Sequence, residues 1–120
     1  MKMFLSKEFV FDAAHNLIHY HGKCEKLHGH TYRLKITLEG QPDAEGMIMD
    51  FIELSKIVKE NIISILDHSY INDIISQPSA ENIALWVWDK IENLVKRENC
   101  SLYEVHVWET ATSCVTLRKE

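Results

Sequence analysis

Between Met3 and His15 the apolar side chains fall on odd positions: Met3, Leu5, Phe9, Phe11 and Ala13, with Lys7 the exception. Even positions hold Ser6, Glu8 and Asp12, diluted by Phe4 and Val10. A period of two predicts a strand with one buried face. If the strand runs unbroken, His15 turns inward with that face. Asn16 to Leu27 has no apolar period and reads as a loop. A second alternation runs from Thr31 to Glu39, with Tyr32, Leu34, Ile36 and Leu38 on one face and Thr31, Arg33, Lys35, Thr37 and Glu39 on the other. His28 and His30 keep the parity of its apolar face.

Pro42, Asp43 and Gly46 mark Gly40 to Gly46 as a turn or a longer connection, and Met47 to Met49 reads as a short strand. Leu54, Ile57, Val58, Ile62 and Ile65 then recur at helical spacing, opposite Glu53, Lys56, Lys59 and Glu60. This predicts a helix over about 51–66, capped by Asp50. Ile71 to Gln77 is irregular. Pro78-Ser79 opens a second helix with Ser79 as the cap, an apolar stripe of Ile83, Ala84, Val87, Ile91, Leu94 and Val95, and an end near Arg97. Trp86 and Trp88 flank that stripe, as core or interface residues. Leu102 to Glu109 and Ser113 to Lys119 form a hairpin turning at Thr110 to Thr112. The order predicts an α+β fold, an antiparallel four-stranded sheet with two helices on one face. Such a sheet has exposed edges, which predicts that subunits join edge to edge into a larger barrel.

At 120 residues, one domain spanning 1–120 is the default. A hydrophobic content of 46% fits a globular chain rather than a disordered one. Thirteen basic residues face eighteen acidic ones without a basic cluster, which excludes nucleic acid and an anionic membrane as natural partners. Lys2, Lys7 and Glu8 interrupt the N-terminal apolar residues, and no apolar run is long enough to span a bilayer. The three cysteines, Cys24, Cys100 and Cys114, form no C-x-x-C pair, so a reducing, cytoplasmic setting is expected.

The chemistry gathers around Cys24-Glu25-Lys26-Leu27-His28-Gly29-His30. In a strand, residues two apart share a face, so two imidazoles can reach one metal ion. With His15 they make either three neutral nitrogen donors and one open position, the pattern of a catalytic zinc site, or histidines satisfied within the core or solvated in a loop. Cys24 has three readings: an inert small hydrophobe, a fourth ligand that closes the site into a structural one, or a thiolate base beside the metal. Asp67 and His68 follow the first helix, either as an ordinary helix end or as a proton-moving pair. Glu109 ends a row formed by Tyr103, Val105 and Val107, opposite Leu102, Glu104, His106 and Trp108. A carboxylate there either meets water or meets a ligand with a pair of donors, such as the amino-pyrimidine edge of a pterin or guanine.

Taken in order, Phe11-Asp12-Ala13-Ala14-His15, Cys24-x-x-x-His28-Gly29-His30, Gly46-Met47-Ile48-Met49-Asp50-Phe51, Leu66-Asp67-His68, Pro78-Ser79-Ala80-Glu81-Asn82 and Trp108-Glu109-Thr110 resemble the 6-pyruvoyl-tetrahydropterin synthase family, with its bacterial 6-carboxy-tetrahydropterin synthases. The resemblance runs nearly the whole chain. It implies a T-fold (tunnelling fold), in which trimers form a twelve-stranded barrel and two trimers stack into a homo-hexamer. It implies a zinc-dependent lyase acting on 7,8-dihydroneopterin triphosphate. Zinc would sit on His15, His28 and His30, with Cys24 as general base, Asp67 and His68 as the acid/base pair, and Glu109 as pterin anchor. The cysteine spacing resembles the 6-carboxy branch, which serves queuosine and other deazapurines. Glu25 also creates Glu-x-x-His-Gly-His, which resembles a branch releasing 6-hydroxymethyl-7,8-dihydropterin for folate synthesis, so the chain carries both signatures and resembles a dual or 6-pyruvoyl-type enzyme, unless Glu25 is only a solvated loop residue. A reading from another class is a non-catalytic pterin- or zinc-binding module, in which Cys24 closes the metal site.

Overall fold

The two longest strands organise the chain. β1 (Met3–His15) and β2 (His28–Gly40) pair antiparallel over their whole length, Met3 opposite Gly40 and His15 opposite His28. The protein is seen in a computed structural model that describes residues 1–18, 21 and 26–120. Cys24 and Glu25 lie outside the described residues. The alternation read from the sequence holds in both strands: Phe9, Phe11, Ala13 and His15 are buried from β1, and Tyr32, Leu34, Ile36 and Leu38 from β2. At 13 residues each, these strands span roughly 43 Å. The outer part of β1 stays open, with Met3 and Phe4 near half exposed.

Two helical runs cover the inner face. The first begins with α1 (Phe51–Val58), widens into a π-helical turn over Lys59–Ile63 and closes with α2 (Ser64–Leu66). Its buried residues are Leu54, Val58, Ile62 and Leu66, four apart each time. A four-residue step drifts about 40° per turn around a 3.6-residue helix. The wider π turn offsets that drift and keeps the stripe on the sheet. Asn61 and Ser64 accompany it, donating to the Ile57 and Glu60 carbonyls four residues back. Ile65, expected in the stripe, is instead exposed. Asp50 caps α1 by accepting from the Ile52 N–H.

α3 (Ala80–Val95) buries Ile83, Ala84, Val87, Ile91 and Val95. Ser79 caps it by accepting from the Asn82 N–H. The helix ends at Val95 rather than Arg97, and Leu94 points outward. Arg97 lies beyond the end, where its guanidinium donates to the Leu94 and Lys96 carbonyls and to Glu53.

The sheet differs from expectation in three places. It is five-stranded and mixed, because β3 (Ser69–Tyr70) pairs parallel to β1 at Ala13 and Ala14. With β4 (Cys100–Trp108) and β5 (Cys114–Arg118), the order is β3-β1-β2-β4-β5. A two-residue strand has no periodicity to read, so the sequence carried no signal for it. Second, Met47 to Met49 is not a strand. The side-chain amide of Asn99 donates to the Met47 and Ile48 carbonyls, and Ile48 and Met49 pack into the core from a turn. Third, Tyr103 does not share the face of Val105 and Val107. The register of β4 against β2 slips between Thr37 and Leu38, so Glu104 faces Thr37 while Leu102 faces Leu38. Tyr103 is the extra residue of a bulge. Leu102 therefore turns into the core, and Tyr103 packs its ring against Phe4 outside it.

Two sheet edges remain uncovered among the described residues, and the one at β1 is hydrophobic. Among the described residues β1 is paired on its outer side only at Ala13 and Ala14, and Phe4, Val10, Phe51 and Ile52 are exposed near it. β5 is the opposite edge. Among the described residues no helix is long and apolar enough to cross a membrane.

Candidate functional site

β1 ends at residue 15 and β2 opens at residue 28, so antiparallel pairing sets His15 directly across from His28. His30 stands two positions along β2, opposite Ala13. All three keep the inner parity, and at this end of the sheet their rings meet edge to face with centroids 4.7–5.1 Å apart. The turn after β4 brings in a fourth group. Glu109, whose N–H donates to the Ser113 carbonyl, places Oε1 3.0 Å from His15 Nε2 and 3.5 Å from His30 Nε2. The sequence left its carboxylate to meet water or a ligand with a pair of donors; in the structure its near contacts are instead histidines of the cluster.

Hydrogen bonds on the far side of the rings set their tautomers. His15 Nδ1 lies 3.0 Å from the Pro78 carbonyl and 3.0 Å from the Tyr32 hydroxyl. A carbonyl can only accept, so Nδ1 carries a proton, and in the neutral ring Nε2 presents its lone pair to the cluster. His28 Nδ1 likewise faces the Lys26 carbonyl at 2.8 Å. Its Nε2 therefore points at His15 Nε2, 3.1 Å away. Two ring lone pairs and a carboxylate thus converge at hydrogen-bond distance, with His15 fully enclosed. Converging acceptors repel unless a cation stands between them. His15, His28, His30 and Glu109 each offer one donor atom, all within 4.8 Å of one another. This set fits a metal ion that prefers nitrogen and oxygen donors, zinc among them.

Asp67 and His68 form a second cluster beside the first. His68 sits at φ 59°, a left-handed conformation that side chains rarely adopt. It is held there by its N–H, which donates to the Asp12 carbonyl at 2.6 Å. The Asp12 N–H in turn donates to Asp67 Oδ1 at 3.0 Å, and Asp67 Oδ2 lies 3.1 Å from His68 Nδ1. The Asp12 N–H, aided by His68, holds the Asp67 carboxyl below its ordinary range. The carboxylate orients the ring and leaves Nε2 facing outward, with the His68 side chain 80% exposed. His30 and His68 line one open depression with Asp12, Ala13, Ala14, Gly29 and Thr31.

The fold thus brings together His15, His28, His30 and Glu109, and separately Asp67 and His68. Sequence reasoning missed Tyr32, Asp12, and the Pro78 and Lys26 carbonyls. Tyr32 had a signal, since its hydroxyl follows His30 on the same inward parity. Backbone carbonyls carry none.

The family model for 6-pyruvoyl tetrahydropterin synthase matches residues 4–120. A 6-carboxy-5,6,7,8-tetrahydropterin synthase from Synechocystis is 39% identical over 114 residues, covering 89% of this chain and 86% of the relative. A dihydroneopterin monophosphate aldolase from Pyrococcus furiosus is 42% identical over 98 residues, covering 78% and 82%. Among solved structures, the 6-pyruvoyl tetrahydropterin synthase of Caenorhabditis elegans superposes with a TM-score of 0.83 at 21% identity, covering 100% of this chain and 97% of that one.

Proposed function

Since this chain belongs to the 6-pyruvoyl tetrahydropterin synthase family, we propose that it is a zinc-dependent lyase that converts 7,8-dihydroneopterin triphosphate to 6-carboxy-5,6,7,8-tetrahydropterin. The observation that carries the reading is the convergence of three imidazole nitrogens and one carboxylate at the end of the sheet. The product assignment rests on the Synechocystis relative and on the Cys24-x-x-x-His28-Gly29-His30 spacing.

His15, His28 and His30 would hold the zinc. Bound there, zinc would polarise oxygens of the substrate side chain. Glu109 would accept hydrogen bonds from the amino-pyrimidine edge of the pterin and so fix the ring's position. His68, oriented by Asp67, would give and take a proton at Nε2 in the depression it shares with His30. Cys24 would serve as the opposing base. The uncovered edges at β1 and β5 support edge-to-edge assembly into trimers and a hexamer.

A second reading has its own observation. The Pyrococcus furiosus relative is an aldolase, and Glu25 completes Glu-x-x-His-Gly-His. Both favour release of 6-hydroxymethyl-7,8-dihydropterin by cleavage of the side chain. Zinc-loaded protein incubated with 7,8-dihydroneopterin triphosphate, with products identified by mass, separates the two. Absence of any turnover would count against both. If Glu25 serves cleavage, Glu25→Gln suppresses the 6-hydroxymethyl product and spares the 6-carboxy one.

A further inference from the structure

Glu109 stands too close to the histidines to act only as an anchor for a distant ring. For metal–nitrogen and metal–oxygen bonds of about 2.0–2.1 Å, neighbouring donors on a tetrahedron are about 3.3 Å apart. The separations here are 3.1 Å for His15–His28, 3.0 Å for His15–Glu109 and 3.5 Å for His30–Glu109. The carboxylate oxygen is therefore placed like a fourth donor.

The carboxylate also has few alternatives in this position. Its side chain is 30% exposed, and among the described residues its ion-pair contacts are to cluster histidines. No lysine or arginine salt bridge to it occurs among the described residues. Its backbone is tied into the β4–β5 turn through the Ser113 carbonyl, so the side chain can swing without unfolding a strand.

We propose that Glu109 is an exchangeable fourth donor, closing the three-histidine metal site in the ligand-free protein and leaving it when a pterin ring claims the carboxylate. This rests on the metal site of the proposed function and adds a switch to it. One carboxylate cannot bind the metal and accept from the amino-pyrimidine edge through the same oxygens. Recognition of the ring is thereby coupled to opening of the metal. A metal closed by four protein donors does not hold an activated water while the site waits, and it becomes available only when the correct ring has arrived.

The coupling has a sign. A ring that removes a donor must weaken metal binding, and by linkage the metal must weaken ring binding by the same factor. Unsubstituted pterin is the suitable probe, because it has no side chain to touch the metal. Zinc affinity of the full chain is measured by chelator competition with and without pterin. Cobalt is then substituted, and its visible spectrum reports coordination. Wild type is expected to bind zinc at least about 10-fold more tightly than Glu109→Gln, to lose zinc affinity as pterin is added, and to change its cobalt spectrum on the same titration. Glu109→Gln is expected to show an altered cobalt spectrum with no pterin present. The linkage measurement on wild type needs no variant, so it stands even if the variant folds poorly.

Equal zinc affinity and equal cobalt spectra for wild type and Glu109→Gln, with His28→Ala losing the metal, would overturn the switch and leave the proposed function standing. Wild type that binds no zinc at all would overturn both.

Discussion

The hydroxyl of Tyr32 offers a direct measure of how firmly the histidine cluster is held. Tyr32 is fully buried, and its ring stacks on Phe11 at 4.9 Å and 8°. Its oxygen lies 3.0 Å from Nδ1 of the buried His15, sharing that N–H with the Pro78 carbonyl. Tyr32→Phe removes one oxygen and keeps the stack. One net hydrogen bond is worth about 1 kcal/mol. With a urea dependence of about 2 kcal/mol per molar, the unfolding midpoint falls by about 0.5 M. Because Pro78 still fixes the tautomer, zinc affinity falls by only about 10-fold, the lower end for a residue that orients a ligand. Urea unfolding of metal-free protein at fixed concentration, followed by tryptophan fluorescence, checks the first figure. Chelator competition checks the second. A midpoint within about 0.1 M of wild type and an unchanged zinc affinity would refute the claim that this hydroxyl holds His15. A loss above about 3 kcal/mol would also refute it, because an effect that large means the core itself has repacked.

The remaining predictions concern the frame around the site. Ser79→Ala removes the acceptor for the Asn82 N–H at the start of α3 and lowers stability by about 1 kcal/mol, seen as a lower melting temperature. In Gly40→Ala the new Cβ drives into the Asn99 carbonyl and Cys100, costing about 1–3 kcal/mol of stability by the same measurement. His106 lies on the outer sheet face among Glu104, Lys35, Arg33, Thr116 and the stacked Trp108. Burial, opposed by Glu104, pushes its imidazole below the ordinary 6.5. The unfolded chain therefore takes up the proton first as pH falls. Stability that is complete above about 6.5 is lost as pH drops towards the depressed folded value. Urea unfolding across this window shows the decline, and His106→Gln removes the part of it due to this ring.

Much of the fold could be read along the chain, for reasons that can be assigned to particular residues. The odd-numbered apolar row of Phe9, Phe11 and Ala13 led straight to His15, because strand parity depends only on sequence distance. The caps at Asp50 and Ser79 are local as well, each side chain closing on an N–H two or three residues ahead. The bulge at Tyr103 was different. Whether Leu102 or Tyr103 turns inward depends on where β4 meets β2, and nothing within β4 records that register. Met47 to Met49 misled for a related reason, since a three-residue apolar run packs equally well from a turn held by Asn99.

The site divides along the same line. Sequence alone determined that two histidines separated by one glycine keep the apolar parity of their strand, that His15 keeps the parity of its own, and that a carboxylate stands at the end of an inward row. These are facts of spacing and period. Only the tertiary structure decided that His15 and His28 sit directly opposite, that Pro78 and Lys26 turn both Nε2 atoms inward, and that Glu109 joins them. Those outcomes depend on strand register and on backbone carbonyls from other segments. Carbonyls are identical at every residue, so no letter of the sequence marks the ones that matter.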